Sequence, residues 1–143
     1  MHLLDSSSVA LVVRRLREKA VSMLQGSATL DLARYELGNI IWKECSLERS
    51  ITPEEAEERV ADLAKILNSM DIVRIEAEQD LRGVMETATK MRTTFYDASY
   101  LYAAKSRRLI LVTEDSELQA KAKHDGIKTL RLAEVLKERD RST

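Results

Sequence analysis

One cysteine, two histidines and one proline are all that the 143-residue chain has of those types, and no apolar run reaches the ~18 residues of a membrane span. Cys45 alone cannot close an internal disulfide, and its setting in NIIWKECSL reads as a helix position, which fits a reducing, cytoplasmic compartment. His2 and His124 are far apart and, with a single cysteine, exclude a zinc cluster. The stretch MHLLDSSSVALVVRR meets charge too early for a secretory signal, so a soluble protein without membrane association is expected. Charge of one sign is also lacking. The 23 basic and 24 acidic residues nearly cancel to −1, so the whole molecule is no magnet for nucleic acid and only a local basic face could serve as one. Few Asn and Gln beside many Glu, Lys and Arg match a thermophilic source.

An apolar fraction of 44% is enough for one core, and a single domain over residues 1–143 is expected, its last few residues a flexible charged tail. Residues 2–4 read as a short buried strand ending at Asp5, after which Ser6, Ser7 and Ser8 can cap a helix carrying Val9, Val12 and Leu16. A second strand is placed at 28–30 behind a turn at Gly26. A helix then begins at Leu32, with Ala33, Leu37, Ile40 and Ile41 on its inner stripe and Glu36 beside it. Thr52, Pro53 and Glu55 form a capping box opening a helix to about residue 68, with Val60, Leu63, Ala64 and Leu67 as its inner face.

A strand at 70–75 and a helix at 76–91 with Leu81, Val84, Met85 and Ala88 inward lead into the most informative stretch, residues 93–118. It reads as a helix, a strand at 109–112 and the start of a helix that Asp125 and Gly126 stop, before a last strand at 127–130 and a helix at 132–137. Alternating strands and helices imply a three-layer α/β/α fold on a parallel sheet, with every strand's carboxyl end on one edge, where ligands bind in such folds. Asp5 and Asp115 follow strands and so fall on that edge.

Each acid has an ordinary explanation. Thr94 and Asp97 fit a capping box, Asp115 resembles an N-cap and Asp5 could open a turn. Glu36 sits mid-helix and caps nothing, and Asp97 lies in line with Leu101 and Ala104 on an inward stripe, an expensive place for a charge. One site explains the four more economically than four coincidences. Convergent carboxylates repel unless a cation is present, and oxygen ligands without His or Cys call for Mg2+ or Mn2+.

The residues Leu3-Leu4-Asp5-Ser6-Ser7, Glu36, Tyr96-Asp97-Ala98-x-Tyr100 with Ala103, and Leu111-Val112-Thr113-Glu114-Asp115-x-x-Leu118 resemble the PIN-domain ribonucleases, and among them the VapC-like toxins, in order along almost the whole chain. The resemblance implies a five-stranded parallel sheet and hydrolysis of RNA phosphodiester bonds, with Asp5, Glu36, Asp97 and Asp115 around Mg2+ or Mn2+, directly or through water, and Ser6 and Thr113 in support. It also implies a VapB-like antitoxin and a homodimer. Arg14, Arg15, Arg17, Lys105, Arg107 and Arg108, with Lys90 and Arg92 behind them, are the candidates for holding RNA phosphates, although basic residues at helix ends also serve the dipole. Tyr96, Tyr100 and Tyr102 are read as core-packing residues and Trp42 as a core or interface residue.

Three rivals differ in kind. A PIN nuclease of RNA processing or decay keeps the chemistry without an antitoxin, and a silent PIN-like module keeps only the fold. A receiver-type signalling domain needs its acceptor Asp at the end of the central strand, whereas Asp71 begins its strand.

Overall fold

The computed structural model describes residues 1–142. The elements run β1 (His2–Leu4), α1 (Ser6–Leu16), a 3-10 turn (Arg17–Lys19), α2 (Ala20–Leu24), β2 (Ala28–Leu30), α3 (Leu32–Ser46) and α4 (Pro53–Ser69). They continue through β3 (Asp71–Val73), α5 (Glu78–Met91), α6 (Phe95–Ser106), β4 (Ile110–Val112), α7 (Ser116–His124), β5 (Thr129–Leu130) and α8 (Leu132–Ser142). All five strands are parallel in the order β3-β2-β1-β4-β5. The order reverses beside β1, so the crevice between the carboxyl ends of β1 and β4 is the topological switch point. β3 is an edge strand, which removes the receiver arrangement.

Two neighbouring leucines show how so short a strand holds three layers together. Leu4 and Val112 face a core shared with α1, α2, α3, α4 and α8, whereas Leu3 and Leu111 face the one under α6 and α7, as the two-residue period of a strand requires. A third cluster of Val84, Ala88 and Ala98 joins α5 to α6. The capping box at Thr52 and Glu55 is complete, with Glu55 N–H donating to Thr52 Oγ1 at 3.1 Å and Thr52 N–H to Glu55 Oε1 at 3.4 Å.

Several expectations need correction. The serines do not cap α1; Asp5 does, its Oδ1 accepting from Ser8 N–H at 2.9 Å. The buried stripe of α4 is Leu63, Ile66 and Leu67, continued by Met70, while Val60 is 48% exposed. That stripe places Ile66, Leu67 and Met70 in the core. In α5, Val84 and Ala88 are buried but Leu81 and Met85 are exposed. The short α2 was not anticipated. α8 runs on through the expected tail, where Arg139 reaches the Ser22 carbonyl and the Ser27 hydroxyl; only Thr143 lies outside the described residues.

Gly83 lets α5 lie against α6. A Cβ built there falls well inside contact distance of the Tyr102 ring, whose hydroxyl donates to Asp80 Oδ1 at 2.8 Å. An exposed helical Gly→Ala change gains about 1 kcal/mol from propensity, but overpacking costs ~1–3 kcal/mol. Gly83→Ala is therefore expected to lose on the order of 1 kcal/mol in urea unfolding. A gain in stability would show that the two helices have slack between them.

Candidate active site

Asp5 leaves β1 and immediately caps α1, so backbone N–H groups at the helix start balance a carboxylate that is only 8% exposed. Ser8 fixes that helix start against the neighbouring strand by donating its hydroxyl to the Val112 carbonyl at 3.1 Å. Asp115 repeats the arrangement after β4, its Oδ1 accepting from Glu117 N–H at 2.9 Å and Leu118 N–H at 3.2 Å. Fully buried Thr113 aims the turn: Asp115 N–H donates to its Oγ1 at 3.1 Å, and Gln119 Nε2 to its carbonyl at 3.1 Å.

Asp97 stands in the first turn of α6, where its N–H donates to Thr94 Oγ1 at 3.1 Å. Glu36 approaches from α3, which starts two residues after β2 and so at the same edge. Its Oε1 accepts the phenol of Tyr100 at 2.9 Å, and the Ser6 hydroxyl is a hydrogen-bonding neighbour of both groups. Tyr100 is a buried packing residue, as expected, but its hold on Glu36 was missed. The spacing held a hint, since Tyr100 follows Asp97 by three residues and shares its face of α6.

The acids act on one another. Burial pushes the Glu36 carboxyl above its ordinary range, hydrogen bonds from Tyr100 and Ser6 oppose the rise, and the charges of Asp5 and Asp97 add to it. Burial also raises Asp97, reinforced by Asp115 and Asp5 and opposed by the Lys121 ammonium and the Thr93 hydroxyl. Burial, then the charge and hydrogen bond of Glu36, raise Tyr100, so the phenol stays a donor. All four expected acids therefore share one electrostatic field. Among the described residues, no three acidic, histidine or cysteine side chains stand close enough to hold a metal between them. The donor chemistry nevertheless fits a hard divalent cation: oxygen only, in mutual repulsion that a cation would relieve.

Beside Asp97 and Asp115 lies an open cavity of about 410 Å³, also lined by Arg92, Thr93, Thr94 and Lys121. The other expected cations are elsewhere. Arg14 and Arg15 close α1, nine and ten residues beyond its cap, about 13–15 Å along the axis. Lys105, Arg107 and Arg108 lie at the far end of α6, a similar distance from Asp97. Helices that start at the site carry their terminal cations away from it. Lys105 is engaged there by Asp125 Oδ1 at 2.9 Å. Arg14 and Arg17 instead line a second groove, between α1, α3 and α4. Tyr96, expected to pack in the core, is 59% exposed, and Trp42, expected in core or interface, is 50% exposed.

No protein-family model matches the chain. Individual proteins do. It is 35% identical over 122 residues to exonuclease VapC9 of Pyrobaculum aerophilum, covering 85% of this chain and 86% of that one. It is 34% identical over 104 residues to ribonuclease VapC3 of the same organism, covering 73% and 77%. The crystal structure of PAE2754 from Pyrobaculum aerophilum superposes with a TM-score of 0.77 at 33% identity, covering 96% of this chain and 93% of that one.

The raised carboxyls set the sign of a pH effect. The folded protein holds protons that the unfolded chain releases near the ordinary values of 4.5 for Glu36 and 3.8 for Asp97. Below those values both states are protonated and nothing is lost; as pH rises through and above them stability falls, then levels off. Glu36→Gln keeps an acceptor for Tyr100 and removes one charge, so in chelator at neutral pH its Tm is expected to rise by a few degrees, at ~2–4 °C per kcal/mol of repulsion released. A lower Tm than wild type would mean that Glu36 is not strained by its neighbours.

Proposed function

The chain belongs to the VapC family of PIN-domain proteins, and from that premise we propose that it is the ribonuclease toxin of a VapBC-type pair. In this reading it hydrolyses RNA phosphodiester bonds at Asp5, Glu36, Asp97 and Asp115 with Mg2+ or Mn2+, in the cytoplasm, under control of a VapB-like antitoxin and as a homodimer. The carrying observation is the shared field of the four acids: Glu36 is raised partly by Asp5 and Asp97, and Asp97 partly by Asp115 and Asp5. Repulsion left unrelieved at a switch point is a cost that capping alone does not explain. No helix among the described residues is long and apolar enough to cross a membrane.

Held by Asp5, Glu36, Asp97 and Asp115, a divalent ion would polarise the scissile phosphate and lower the pKa of a water so that it could attack as hydroxide. The chain's own part is to hold the ligands in place. Asp5 and Asp115 are fixed by backbone N–H groups at helix starts, and Thr113 orients the turn before Asp115. Tyr100 confines the Glu36 carboxylate and, by donating to it, favours the charged form that a ligand must have. Asp97 keeps its place through the Thr94 cap.

The name exonuclease carried by one relative gives a second mode some support, namely removal of nucleotides from an RNA end. A linear and a circular RNA of the same sequence distinguish the modes, because only internal cleavage opens the circle. A PIN nuclease of RNA processing keeps the same site and differs in lacking an antitoxin gene beside its own.

Purified protein freed of any partner is expected to cleave RNA with Mg2+ or Mn2+ and not in EDTA. Asp5→Asn and Asp97→Asn should each lose more than roughly a hundredfold, beyond the cost of removing an outer-shell partner of a ligand. Full cleavage in EDTA, or in both variants, would overturn the assignment.

A further inference from the structure

We propose that the cavity between the α5–α6 turn and α7 is the seat of an RNA backbone phosphate beside the scissile one, gripped by Arg92 and Lys121. The inference rests on the ribonuclease reading and gives its substrate a direction across the site. Asp97, Asp115 and Glu117 form part of the cavity, and Arg92 and Lys121 are the cations that line it with them. A polyanion approaching four carboxylates needs cations close by, and these are the two that line this cavity.

Their arrangement suits an anion better than it suits a structural ion pair. Lys121 Nζ lies 3.4 Å from the Arg92 carbonyl oxygen and 3.6 Å from Glu117 Oε1, both long for an ammonium, whose charge-assisted bonds run to about 2.7–2.9 Å. The contact to the Arg92 backbone nonetheless joins the two cation-bearing elements at one point. Arg92 caps α5 in the left-handed region at φ 52°, its N–H on the Ala88 carbonyl, and among the described residues its guanidinium makes no hydrogen bond or ion pair. By contrast, Arg59 and Arg131 are paired with Glu44 and Glu114. A planar guanidinium beside an ammonium with spare donors matches a phosphodiester, which accepts from both. The basic clusters at the far ends of α1 and α6 are too distant to serve that phosphate.

The test uses the inactive Asp5→Asn protein and a short fluorescein-labelled single-stranded RNA of mixed sequence, with affinity followed by anisotropy over a potassium chloride series. Adding Arg92→Ala or Lys121→Ala is expected to weaken binding roughly fivefold and to flatten the log–log salt slope by about 0.7 per cation removed. Lys121→Arg should retain both values, and Arg82→Ala, which removes only a surface pair with Glu78, should change neither. In the otherwise wild-type protein the two alanine variants should raise KM with kcat within about twofold. Unchanged affinity and slope would overturn the proposal. So would a fall in kcat at constant KM and slope, because Lys121 would then act on Asp97 and not on RNA; so would an unchanged slope with weakened binding of an acidic peptide, which would assign the cations to a protein partner. If wild-type protein neither binds nor cleaves RNA, the ribonuclease reading itself falls; if it does both and the variants match it, only the phosphate seat falls.

Discussion

Burying the Glu36 and Asp97 carboxyls beside Asp5 and Asp115 is the constraint that the rest of the molecule has to contain. Three of the four sit at helix starts, where N–H groups and the helix dipole favour a carboxylate; α1 and α7 begin where three-residue strands stop, and α6 begins at the turn that ends α5. Glu36 has no such help. It relies on a phenol from α6 and a serine from α1, so its position depends on three elements meeting correctly. The hydrophobic layers on the two faces of the sheet supply that alignment, with Leu3 and Leu4 sending one strand's side chains into both.

The legible parts of this fold were those governed by local chemistry. Thr52, Pro53 and Glu55 announced a helix start that is present in full, and Asp115 announced its own. The edge position of Asp5 followed from one strand and the handedness of crossovers. Parts set by tertiary contact were harder to read. Val60 and Leu63 both fit a helical period, and only the placement of α4 against α2 and α3 decides that Leu63 is inside. The hold of Tyr100 on Glu36 spans 64 residues: spacing puts Tyr100 on the face of Asp97, but only the meeting of α6 with α3 names its partner. Where the basic candidates lie was likewise a matter of three dimensions, since a helix of 11 or 12 residues carries its far end about 16–18 Å from its start.

Fold and family narrow the function without deciding its details. A chain that matches VapC proteins over most of its length and places its acids at the switch point of a parallel sheet has the layout of a nuclease. Such a site trades stability for chemistry, since side chains that repel in the empty protein are the ones required to bind.

The central claim is that one divalent ion site relieves the shared repulsion. It is tested most directly by calorimetric titration of Mn2+ just above the ordinary carboxylate range, in two buffers of different ionisation enthalpy, which counts protons released on binding. The account predicts a net release by the wild-type protein, smaller in Glu36→Gln. Binding with no proton release, or with the same release in that variant, would contradict it.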